Sequence, residues 1–210
     1  MGAPMACASQ TSVPAPAWIT RCSLTGHWTW GWSPTTVSLF VSFLTQVGSP
    51  TEDAGEVLGI HGRISNLPAS NVCVGGEWEG DEYEFWVQGE MRQAVLYGEN
   101  LRLRRRISGR LGEAVIRIRD TVENMGGRRT PFMILYHCNF GHPLLADGAR
   151  VLSKPHPVQA REKESEPGLA DVARIQAPDA QWKAQVFYHD MVADADGWVT
   201  IVLANPNFNG

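Results

Sequence analysis

The chain has 210 residues, 43% of them hydrophobic and 19% charged, with a formal net charge of −4. That is enough chain for one sizeable core, and the composition is globular. The acidic balance argues against a nucleic-acid partner. The cysteines Cys7, Cys22, Cys73 and Cys138 form no CxxC pair, against a disulfide scaffold or zinc knuckle.

Proline, alanine, serine and threonine dominate the first twenty residues, and Trp28, Trp30 and Trp32 then alternate with Thr29 and Gly31. Extended, the three indoles would share one face. With no polar partners beside them, they read as a loosely packed segment rather than as an aromatic sugar platform. The most apolar run, Val37 to Val47, is too short to span a bilayer and is interrupted by Ser38, Ser42 and Thr45. No basic n-region with an apolar h-region opens the chain, so the expected setting is soluble, reducing and cytoplasmic, without a membrane partner.

From Val57 onward the periodicity is that of strands. Tyr83, Phe85 and Val87 alternate with Glu82, Glu84 and Gln88, and Leu101, Leu103 and Ile107 with Arg102, Arg104, Arg106 and Ser108. Ile116, Ile118 and Val122 alternate with Arg117, Arg119 and Thr121. Each pattern has period two, with one buried face. The run Arg102, Arg104, Arg105, Arg106, Arg110 reads as the solvent face of a strand. Turns are expected at 75–76, 109–112 and 124–127, where glycine and asparagine cluster. Residues 154–180 read as a long polar loop with a short helical turn near 168–174, and further strands are expected at 183–189 and 198–204. No long amphipathic helix is visible. The expected class is all-β, as two packed antiparallel sheets.

Two segments are dense in chemistry. A turn-rich run from Asn124 to Pro131 feeds an apolar strand that delivers His137 and Asn139 just before Gly141. Residues two apart on a strand face the same way, so a titratable group and a neutral amide would project together, as small-ligand sites require. In Gly59-Ile-His61-Gly62-Arg63-Ile-Ser-Asn66-Leu-Pro68-Ala69, His61 and Arg63 share a face if extended, and Gly62 allows close approach. An ordinary turn is the alternative there. His142, before Pro143, shapes a turn. His189 and Asp190, after Val186-Phe187-Tyr188, read as a polar strand end or a binding pair. His27 and His156 receive no role. No histidine pair has ligand spacing on one element, so no metal is expected, and no nucleotide or cofactor motif occurs.

At these segments the chain resembles the aldose 1-epimerase (galactose mutarotase) superfamily, most closely its aldose-epimerase-like domain of unknown function 4432 group. The resemblance rests on Gly59 to Ala69, Tyr97-Gly98-Glu99, Ile118-Arg-Asp120-Thr-Val122-Glu-Asn124, Tyr136-His137-Cys-Asn139-Phe140-Gly141, Pro143-Leu144-Leu145 and Val186-Phe187-Tyr188-His189-Asp190. It covers roughly residues 46–205. It implies a galactose mutarotase-like β-supersandwich that binds a hexose-type sugar in an open cleft, without a cofactor. In that family a glutamate takes the anomeric hydroxyl proton and a histidine protonates the ring oxygen; the ring opens, its aldehyde end rotates, and it closes as the other anomer.

The resemblance makes His137 the proton donor and His61 the group that binds sugar oxygens and steadies developing charge. It makes Arg63, Asn139, His189 and Asp190 substrate-binding residues. Two departures set further expectations. The family's catalytic glutamate lies in a late Glu-Pro motif, whereas Glu166-Pro167 here falls in the polar loop. Residues 1–45 lack the family's glycine-rich lead-in strand, and Ala184 stands where relatives tend to carry glutamate. The expectation is a divergent, poorly ordered segment over 1–45 and a partial domain over 46–210, lacking its last strands, impaired in turnover and prone to self-association through an exposed sheet edge.

Overall fold

A computed structural model describes residues 5–10, 17–22, 31–32, 39–43, 51–53, 55–59, 62–64, 67–130, 132 and 134–207, with backbone alone before residue 52 and at residues 53 and 137. Trp28, Trp30, His61 and Asn66, each singled out by the sequence, lie outside the described residues. The strands in chain order are β1 (Met5–Gln10), β2 (Ala17–Cys22), β3 (Gly31–Trp32), β4 (Leu39–Phe43), β5 (Thr51–Asp53), β6 (Glu56–Leu58), β7 (Ser70–Glu79) and β8 (Glu82–Ala94). They continue as β9 (Asn100–Arg110), β10 (Val115–Asn124), β11 (Ile134–Phe140), β12 (Arg150–Ser153), β13 (Val158–Ala160), β14 (Phe187–His189) and β15 (Val199–Ala204). A 3-10 helix spans Lys163–Asp171. The protein is all-β, as its strand periodicities require. No described helix is long and apolar enough to cross a membrane.

The chain divides into two compact units, Met1–Ala8 with Phe40–Tyr136, and Ser9–Leu39 with His137–Gly210. The first is built on the antiparallel meander β7–β8–β9–β10. Its tight connections use Gly80 and Gly112, both at positive φ, where a β-carbon would be strained. Along β9, Leu101, Leu103 and Gly109 are buried while Arg104 is exposed, the alternation a half-buried strand produces. The outward face is a ladder of opposite charges: Arg106 with Glu84, Arg110 with Glu82, Arg102 with Glu123, and Arg104 with Glu90 and Glu123. Arg106 also stacks 4.1 Å over the Trp86 ring.

Arg105 departs from the expected solvent face. In register it stands opposite Asp120, on the face of Leu103 and Ile107. Its guanidinium grips Asp120 through two bonds of 2.8 and 2.6 Å, and the Tyr136 hydroxyl donates to the same carboxylate at 2.7 Å. Asp120 is 2% exposed and Tyr136 3%. Burial, reinforced by the Asp120 charge, raises the Tyr136 phenol well above its ordinary range, so it stays a donor.

Gly75 and Gly76 also depart from expectation: they lie inside β7, not in a turn. A β-carbon on Gly75 would sit 2.5 Å from the Trp86 ring, and one on Gly76 would collide with the Tyr83 hydroxyl. The glycines are there so that aromatic rings of β8 can cross the neighbouring strand.

In the second unit, β15 pairs antiparallel with β2 and with β12, and β13 with β14. Val199, Ile201 and Leu203 are buried while Thr200, Val202 and Ala204 are half-buried, the predicted strand alternation. Asn205, 1% exposed, donates to the carbonyls of Pro143 and Leu144 at 3.1 and 3.2 Å, which ties the strand end to the turn at His142. The segment 154–180 is more ordered than its polarity suggests. It contributes β13, and its helical turn begins at Lys163, where the Ser165 hydroxyl is buried and accepts from the Val186 amide at 3.0 Å.

Candidate functional site

In the first unit the site grows from a hairpin and a glycine. Strands β5 and β6 pair antiparallel across Gly55, and β6 ends on Leu58, which is 2% exposed. Gly62 is buried, takes φ +78 and donates to the Gly59 carbonyl at 3.2 Å. The resulting turn buries Ile64 and holds Arg63 at the surface of the core.

Arg63 spans two carboxylates. Its Nη2 lies 2.6 Å from Glu56 Oε2 and its Nε 3.1 Å from Glu56 Oε1, while Nη1 donates to Glu99 Oε1 at 3.0 Å. The arginine hydrogen bond is the main reason the exposed Glu56 carboxyl sits below its ordinary range. Gln93, only 1% exposed, donates through Nε2 to the same Glu99 oxygen at 3.0 Å, and its own Oε1 has no partner. A cavity of about 320 Å³ lies against this network, lined by Glu56, Leu58, Gly62, Arg63, Arg92 and Gln93 among others. Its size is at the lower end of small-ligand pockets.

In the second unit, His137 and Asn139 are alternate residues of β11. Asn139 pairs through its backbone with Gly31 of β3 in parallel register. Its side-chain oxygen is buried and without a hydrogen-bond partner. A buried acceptor left open costs roughly 1–3 kcal/mol, so it calls for an occupant or a reason.

His189 closes β14, and Asp190 is exposed just after it, its amide donating to the Pro157 carbonyl at 3.0 Å. His189 Nδ1 lies 2.8 Å from His156 Nε2, and His156 Nδ1 lies 2.7 Å from the Lys154 carbonyl. A carbonyl only accepts, so in its neutral form His156 carries its proton on Nδ1 and accepts through Nε2. Opposite that neutral form, His189 donates from Nδ1, which leaves its Nε2 lone pair for another donor. Burial first, and the neighbouring His156 second, hold His189 below the usual imidazole range.

The predicted residues are thus placed unequally. Arg63 is joined to Glu56, Glu99 and Gln93, and His189 to His156, which the sequence reading passed over. His61 is outside the described residues and His137 is described by backbone alone. Gln93 was also missed. The signal for it was a polar residue at an odd position of β8, in phase with Tyr83, Phe85 and Val87. His156 offered no such signal, because its partner lies 33 residues away. Among the described residues no group of three or more His, Cys, Asp or Glu could hold a metal ion.

Comparison with known proteins adds two findings. Residues 10–210 match the family model described as Domain of unknown function (DUF4432), so the match takes in much of the segment before residue 46. No curated protein matches the chain significantly. Among solved structures, a candidate aldose 1-epimerase from Klebsiella pneumoniae subsp. pneumoniae MGH 78578 superposes with a TM-score of 0.73 at 20% identity, over 90% of this chain. The chain spans 58% of the length of that structure. The likeness shows an aldose 1-epimerase-like fold.

Proposed function

The chain belongs to the DUF4432 family, and from that premise we propose that it is an aldose 1-epimerase-like protein that binds a hexose-type sugar. The observation that carries the reading is the Asn139 side-chain oxygen, buried and unpartnered two residues beyond His137 on β11. A sugar hydroxyl is a donor of the right kind for it, and imidazole is the side chain whose pKa lets it give and retake a proton near neutrality.

In this reading His137 donates a proton to the ring oxygen as the bond from that oxygen to the anomeric carbon breaks. His61 binds sugar oxygens and steadies the charge that develops. Arg63, Asn139, His189 and Asp190 hold hydroxyls, and the lone pair at His189 Nε2 suits that task. The anomeric hydroxyl proton needs a base. Within these 210 residues Glu-Pro occurs once, at Glu166-Pro167, where Glu166 is exposed on the 3-10 helix. Without a positioned base the rate falls by a factor of about 10²–10⁴. We therefore propose that these residues recognise sugar better than they convert it. The alternative reading, a carbohydrate-binding protein without turnover, is favoured by the same exposure of Glu166.

Polarimetry on freshly dissolved α-glucose and α-galactose tests the reading, alongside tryptophan fluorescence titrated with each sugar. Saturable binding that Asn139→Ala weakens, with mutarotation only modestly faster than buffer, is the expected result. Sugar-independent fluorescence, with buffer rates in both proteins, would leave the residues a structural role alone.

A further inference from the structure

The Gln93 amide is oriented by its neighbours. Glu99 Oε1 accepts from Arg63 at 3.0 Å and from Gln93 at 3.0 Å. A carboxylate cannot donate, so the NH2 group of Gln93 must face it, and turning the amide over would set two acceptors against each other. The oxygen is therefore fixed on the other side. It is buried, has no partner, and belongs to a side chain that lines the cavity of about 320 Å³. Gln93 is 1% exposed, so water offers little compensation. Of the charged side chains that line the cavity, Arg63 is engaged by Glu56 and by Glu99 behind it, and Arg92 donates through Nε to Asn100. What Gln93 offers a ligand there is an open acceptor.

We infer that Gln93 is a ligand-binding residue whose side-chain oxygen accepts a hydroxyl proton from a neutral polyhydroxylated ligand seated in the Glu56–Arg63–Gln93 cavity. A neutral polyol supplies the hydroxyl donor that the Gln93 oxygen lacks. A carboxylate has no proton to give the Gln93 oxygen near neutral pH, and would set a third acceptor beside it and Glu56. The inference rests on the sugar-binding reading and extends it to a residue that reading did not include. Gln93 also becomes a selectivity element, because a deoxy sugar lacking the donor would leave the oxygen buried and open.

The test uses the intact 210-residue chain, labelled with 15N and titrated with D-galactose and D-glucose. The side-chain NH2 signals of Gln93, assigned from their loss in Gln93→Met, should move saturably with sugar, and Gln93→Met should weaken binding about tenfold, as loss of one hydrogen bond to a buried group predicts. The shift in the unaltered chain needs no variant to fold. If sugar moves the Asn139 amide signals but leaves Gln93 unmoved and Gln93→Met binds unchanged, the Gln93 assignment is overturned while the sugar reading stands. If neither sugar moves any signal, both fall. D-glucosamine is the charge control: binding more than tenfold tighter than glucose would make the cavity a cation site and overturn the ligand class.

Discussion

Asp120→Ala should be among the most damaging single changes in the first unit. The substitution removes two hydrogen bonds to Arg105 and one to Tyr136. It also leaves the Arg105 charge in place with only 13% of its side chain exposed. Removing one partner of a buried ion pair costs about 3–5 kcal/mol, much of it the cost of the charge left behind. Tyr136→Phe removes one bond to a charged acceptor and should cost about 1.5–3 kcal/mol. The double variant Arg105→Met with Asp120→Leu takes away both charges, and should recover most of what Asp120→Ala loses. Urea unfolding followed by circular dichroism would give the three values, and the Arg105/Asp120 cycle would isolate their coupling. A cost below about 1 kcal/mol for Asp120→Ala, or a double variant no better than it, would refute the assignment of that pair as a buried structural clamp.

Three smaller expectations can be read from the same protein. Gly75→Ala places a methyl against the Trp86 ring, and denaturant titration should show a loss of about 1–3 kcal/mol. His189 titrates below the usual 6.5 when folded, so the unfolded chain takes up its proton first. Stability should be flat above about pH 6.5 and fall as pH drops toward the lowered folded value, a slope that thermal melts in His189→Gln should flatten. Strand β7 ends its sheet, with Val74 79% and Trp78 66% exposed; sedimentation should show concentration-dependent self-association that Val74→Lys suppresses.

Much of the fold was legible because period-two patterning depends on which face is wet. It placed β9 and β15 with their buried Leu101, Leu103, Val199, Ile201 and Leu203, but Phe85 and Val87 of β8 and Ile116 of β10, expected inside, are exposed. It misled where a polar residue occupied a core position. Arg105 looked like one more solvent arginine, and its partner Asp120 lies on the next strand, so local pattern could not reveal the pair. The glycines of β7 looked like a turn because the reason for them is the pair of rings on β8. Where chemistry is concentrated in sequence, the reading singled out Arg63, to which the structure gives two carboxylate partners, and Asn139, whose oxygen it leaves open. It was illegible where function depends on long-range register: Gln93 acquires its meaning from Glu99 and Arg63, and His189 from His156.

The central claim is that the open oxygen of Asn139 marks a sugar site. Isothermal titration of D-galactose into the intact chain and into Asn139→Ala measures it most directly. The account predicts saturable one-to-one binding that weakens about tenfold in the variant. No heat of binding in the unaltered chain, or equal affinity in both, would contradict it.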